Sequence, residues 1–178
     1  MNIINRGWAK PDDPIYKSGL SVSFRPQLTE STETLGQETN STISQSLLDS
    51  YTSAEYHVHT QPPFILKIGV PSNELAQLYE ANNCKCAAFI TAYNPYSQEL
   101  TRDVNKLRNQ KLEALIQSKC FKYFQGVGKC ASDDGEGEVS FLILGIDKDT
   151  ASDLGKQFEQ NAIVWCSADA DPQLILLK

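Results

Sequence analysis

The sequence predicts an α+β fold: a single mixed, largely antiparallel sheet with about three packed helices. Three observations lead there. CAAFITAY (86–93) and VSFLILGI (139–146) are continuous apolar runs of strand length, the pattern of strands covered on both faces. Segments of helical period separate such runs. Two pairs of short apolar segments, 121–130 with 139–146 and 162–166 with 173–178, lie close enough in the chain to form hairpins.

The elements follow in order. Residues 1–42 form a low-complexity, Ser/Thr-rich N-terminal segment; 12 Ser or Thr fall between Thr29 and Ser53, too little apolar surface to offset the entropy of ordering. The α+β domain spans 43–178. Ile43, Leu47, Leu48 and Tyr51 have the spacing of a short amphipathic helix leading into it. Phe64, Leu66, Ile68 and Val70 alternate as in a strand that stops at Pro71. Ser72 is a suitable N-cap for a helix carrying Leu75, Leu78 and Tyr79 and ending at Asn82-Asn83. After the run at 86–93, Thr101 opens a longer helix to about Ser118. A strand over 121–130 ends in glycines, and Asp133-Asp134-Gly135 turns the chain into 139–146. Asp147 or Asp149 caps a helix with Ala151, Leu154 and Phe158 on one face, and a hairpin around Asp171-Pro172 closes the domain. The expected order is β-α-β-α-β-β-α-β-β.

Composition excludes several functions. With 16 Lys and Arg against 22 Asp and Glu, the net charge is −6, which disfavours a nucleic-acid coat because phosphate binding rests on basic residues. No stretch reaches the ~18–20 apolar residues of a membrane span. MNIINRGWAKPDDP lacks the apolar core of a secretion signal, so a cytoplasmic location is expected. The odd number of cysteines, 5, argues against a disulfide framework. Cys84-x-Cys86 and His57-x-His59 carry ligand types without zinc-site spacing, so neither a metal nor a cofactor is expected. Gly126-Val-Gly-Lys129 lacks the flanking residues of a phosphate loop, no nucleophile elbow exists, and no catalytic motif emerges.

The candidate site residues are those that break the pattern. On a helical wheel Arg108 falls inside the apolar stripe drawn through Val104, Leu107, Leu112 and Leu115, with Asn105 on its flank. A guanidinium there needs a carboxylate, carbonyls or a ligand anion. Thr91 stands near the end of a buried strand, and Asn94-Pro95 turns the chain away from it. Ser97 precedes a helix N-terminus, where amide N–H groups point outward. Glu138 and Gln160 stand at strand entrances. Each residue has a structural alternative: a paired arginine, a turn, a cap.

From Tyr51 to the C-terminus the chain resembles an uncharacterised bacterial family, domain of unknown function thirty-two ninety-three. The landmarks are YTSAEY (51–56), FITAYNPYSQ (89–98), NKLRNQKL (105–112), QGVG (125–128), EVSFLILG (138–145) and FEQNAIVW (158–165). The resemblance implies a small bacterial domain and carries no established reaction. The family pattern often has an aromatic residue where this chain has Gly137.

Two functions are expected from these readings. In the first, the domain binds a small polar or anionic ligand, a nucleotide-like molecule among them, in a pocket around Arg108, which would hold the anion, with Thr91, Asn94, Ser97, Asn105, Glu138 and Gln160 as the other site residues. In the second, it is a protein-interaction module of inhibitor, anti-defence or immunity type, acting through its acidic surface and N-terminal tail.

Overall fold

The computed structural model describes residues 43–130 and 135–178. The Ser/Thr-rich segment 1–42 and the Asp133-Asp134 turn lie outside them. The elements are α1 (Gln45–Ser53), β1 (Glu55–Val58), β2 (Phe64–Leu66), α2 (Asn73–Asn82), β3 (Ala87–Thr91), a one-turn 3₁₀ helix (Pro95–Ser97), α3 (Arg102–Ser118), β4 (Tyr123–Lys129), β5 (Glu138–Leu144), α4 (Lys148–Gln157), β6 (Ala162–Cys166) and β7 (Pro172–Leu176). The seven strands make one sheet in the order β2-β1-β4-β5-β3-β6-β7. Every pairing between these strands is antiparallel.

That sheet is antiparallel because each helical crossover skips a strand position. β3-α3-β4 leaves a gap that β5 fills, and β5-α4-β6 leaves a gap that β3 fills. The two units interlock as a β-α-β-β-α-β core of split βαβ type. The β1-β2 hairpin extends it at one edge and β7 at the other.

Strand alternation sends side chains to two cores. Ala88, Ile90, Phe141 and Ile143 pack with Leu112 and Ile116 of α3 and Leu154 of α4. Ala87, Phe89, Leu142 and Leu144 pack on the opposite face with Leu75 and Tyr79 of α2. Burial on both faces is why β3 and β5 read as unbroken apolar runs.

The caps follow the sequence. The hydroxyl of Ser72 accepts from the Leu75 amide at 3.1 Å, and Asn83 closes α2 in the left-handed region at φ 50°. The carboxylate of Asp147 accepts from the Thr150 amide at 2.9 Å. Thr101 sits at the N-cap of α3 but makes no capping bond through its side chain.

Four expectations need correction. β1 was not foreseen: its four residues, EYHV, bury only Tyr56 and Val58, a pattern too short to stand out. The strand expected over 64–70 stops at Leu66, because Gly69 takes φ 71° and the chain turns back from Lys67 to Val70. The buried face of α3 is Asn105, Asn109, Leu112 and Ile116, whereas Val104 and Leu107 are exposed. The N-terminal half of α3 lies against polar backbone, so its amides turn inward and its aliphatics outward. With α1 the domain has four α-helices among the described residues rather than about three.

Candidate functional site

Beyond Thr91 the chain leaves the sheet, and its amides and carbonyls lose their strand partners. Buried backbone groups must find others. Three residues of α3, spaced i, i+3 and i+4 and so on one face, supply them. Asn109 Oδ1 accepts from the Ala92 amide at 3.1 Å, Arg108 Nε donates to the Ala92 carbonyl at 2.9 Å, and Asn105 Oδ1 accepts from the Asn94 amide at 2.9 Å. Asn109 Nδ2 also donates to the Val139 carbonyl at 3.0 Å, tying the bracket to β5.

Arg108 continues across to the end of α4. Its Nη2 donates to the Phe158 carbonyl at 2.8 Å, and its Nη1 pairs with Glu159 at 3.1 Å. A guanidinium beside the carbonyl end of a helix is also favoured by the helix dipole. All three of its nitrogens therefore face protein acceptors.

On the opposite face of the sheet, a cavity of about 480 Å³ opens between α1 and the strands. Thr91, Asn94, Ser97, Glu138 and Gln160 line it; Asn105 and Arg108 do not. Asn105 reaches it at one remove, donating from Nδ2 to Asn94 Oδ1 at 2.7 Å. Asn94 in turn donates from Nδ2 to Glu138 Oε1 at 2.7 Å. Thr91 donates to the Val139 carbonyl at 2.8 Å, and Gln160 Nε2 to the Tyr93 carbonyl at 2.9 Å. Those two are occupied with backbone.

Glu138 differs. It enters none of the ion pairs among the described residues, and Asn94 is the only described donor to its carboxylate. Burial pushes its pKa above the ordinary carboxylate value, against the smaller pull of the Asn94 hydrogen bond.

The floor of the cavity exists because β4 presents glycines there. A Cβ on Gly126 would lie 2.4 Å from the His57 carbonyl and 2.6 Å from the Phe89 ring, so only glycine lets that ring lie across the strand. At Gly128 the nearest atoms would be 3.9–4.0 Å away, leaving open space beside Tyr56, Phe89 and Ser140. Gly137, just before Glu138, takes φ 71°, where an aromatic residue would be strained.

The wall on the α1 side is held by one hydrogen-bonded cluster. Tyr51 OH and Ser97 Oγ lie 2.9 Å apart, and Asn161 Nδ2 donates to Ser97 Oγ at 2.9 Å. Asn94, Tyr96 and Ser97 all have positive φ, as does Glu159, whose carbonyl accepts from the Tyr96 amide. Non-glycine residues in that region gather at functional sites more than elsewhere. Sequence reading missed Tyr51 and Tyr56 as lining residues: Tyr51 reads as part of the apolar face of the leading helix, and Tyr56 stands in the short strand that the pattern does not announce.

No group of three or more His, Cys, Asp or Glu side chains that could hold a metal occurs among the described residues. No helix among them is long and apolar enough to cross a membrane.

Residues 90–163 match the family model described as "Protein of unknown function (DUF3293)", the family that the sequence landmarks resemble. The matched stretch runs from the end of β3 into β6 and holds all seven candidate site residues. α1 and Tyr56 fall outside it. No curated protein and no solved structure matches the chain.

Proposed function

We propose that the domain binds a small polar ligand in the cavity between α1 and the sheet. The observation that carries this reading is Glu138: a carboxylate turned into a pocket, with one described donor and no ion pair among the described residues. Burying such a group costs free energy unless something pairs with it, and the one described partner of this carboxylate is the neutral Asn94 amide. The volume, about 480 Å³, is within the range of small-molecule sites. Apolar walls with a few convergent polar groups fit the same description.

Arg108 then acts as a support rather than a ligand contact. It fixes the end of β3, which carries Thr91 and leads into Asn94. An anion held by Arg108, the form in which ligand binding was first expected, would have to displace Glu159 and two carbonyls.

Thermal unfolding of the full chain against a panel of nucleotides, phosphorylated metabolites, sugars, amines and amino acids tests the reading. A ligand that binds the folded state raises the midpoint with its concentration, by a free energy RT ln(1 + [L]/Kd). A saturable rise is expected for at least one compound. A panel that leaves the midpoint unmoved at millimolar concentrations would overturn the proposal.

A further inference from the structure

We infer that the cavity takes a ligand with a cationic nitrogen head, an amine or a guanidinium, on an apolar or aromatic body. This rests on the ligand-binding reading above. The head meets Glu138, whose carboxylate is engaged among the described residues by Asn94 through Oε1. The titratable residues around the cavity, besides Glu138, are Tyr51, Tyr56, Glu99, Lys129 and Cys130. Glu99 adds a second carboxylate at an exposed position. Lys129 follows Gly128 on β4, so alternation turns its side chain to the other face, and it makes no ion pair with Glu138.

The body meets aromatic and aliphatic walls. Tyr56 and Phe89 stand edge to face, their ring centroids 5.4 Å apart, in the wall that Gly128 leaves open. The Tyr56 hydroxyl donates to the Tyr51 carbonyl at 2.8 Å, so the residue offers its ring rather than its hydrogen to an occupant. Rings beside a carboxylate suit a cation, which gains from both. Leu47, Val164 and Leu174 complete an apolar lining. Among the described residues around the cavity an anion would meet the carboxylates of Glu138 and Glu99, with the Lys129 side chain turned to the other face.

Matched probes separate charge from shape. Phenethylamine, phenethyl alcohol and phenylacetate share a ring on a two-carbon chain and differ in the head group, the acid's second carbon being its carboxyl carbon. Calorimetric or NMR titration of the full chain near neutral pH is expected to give the amine an affinity at least about tenfold above the alcohol, with phenylacetate weaker still. In Glu138→Gln the amine should fall to the level of the alcohol. Gly128→Val, whose Cβ the site accommodates, should weaken the amine and the alcohol together by filling the space. Amine affinity should also decline on acidification as Glu138 takes up a proton.

Equal binding of the alcohol or the acid, or an amine preference that survives Glu138→Gln, would overturn the cationic assignment and leave the cavity reading standing. Failure of all three probes would overturn it as well. The broader panel decides the cavity reading separately.

Discussion

Arg108 shows how one side chain can look like a ligand site and act as a brace. Its three bonds join the end of β3 to the end of α4, two segments that no strand pairing holds together there. Replacing it removes the side-chain donor to the Ala92 carbonyl and leaves the Phe158 carbonyl to Gln160 Nε2 alone among the described side chains, in partly buried surroundings. Arg108→Ala is therefore expected to lower the unfolding free energy by about 2–4 kcal/mol, measured by denaturant titration. Arg108→Lys should recover only part of the loss, because an ammonium cannot reproduce the planar fork that reaches the three acceptors. A loss within about 0.5 kcal/mol, the usual span of surface substitutions, would show that the brace carries no weight.

At the scale of elements, β4 and α3 have exchanged the roles their sequences suggest. β4 reads as a strand weakened by glycine, yet its glycines are what let Phe89 cross it and what leave the cavity open. Gly126→Ala must push its methyl group into the His57 carbonyl and the Phe89 ring. Overpacking of that kind costs about 1–3 kcal/mol, and chemical denaturation should record it. Gly128→Ala, with only ordinary contacts to meet, should cost much less. The contrast between the two is the test, since both replace a strand glycine with the better strand former. α3 likewise buries amides in its first half and aliphatics only from Leu112 onward. Its amides substitute for the strand that β3 lacks beyond Thr91.

The pH response belongs to the whole molecule, because groups of opposite sign add up in it. Glu55, Asp147 and Asp169 are held below the ordinary carboxylate values, chiefly by the Lys67 hydrogen bond, the Thr150 amide and the Ser167 hydroxyl respectively. Each contributes stability above the unfolded-state value, 4.5 for Glu55 and 3.8 for the aspartates, which is lost as pH falls through the folded one. Glu138 works the other way. Its folded pKa is raised from 4.5, so the folded state holds its proton longer and stability falls as pH rises through that window. Glu138→Gln should match the parent in acid, become the more stable of the two as pH rises from 4.5 through the folded pKa of Glu138, and run parallel to it above that. Equilibrium unfolding across pH checks this. A constant difference at all pH values would show that Glu138 is not desolvated.

Much of the architecture was legible in the sequence, because local chemistry sets it. Ser72, Asn83 and Asp147 mark helix ends through their own side chains and backbone preferences. The unbroken runs at β3 and β5 announce strands buried on both faces, and the landmark motifs pointed to the family whose model matches 90–163. The cluster of Thr91, Asn94, Ser97, Glu138 and Gln160 could also be picked out residue by residue. Which of these share a space could not, since that depends on the face each strand presents and on partners far along the chain. Only the tertiary structure turned Arg108 to one side of the sheet and Glu138 to the other. It also brought Tyr51 from a helix outside the matched stretch to Ser97 and Asn161. Sequence spacing fixes periodicity within an element, but the inside of a cavity is made by elements that meet only when the sheet has formed.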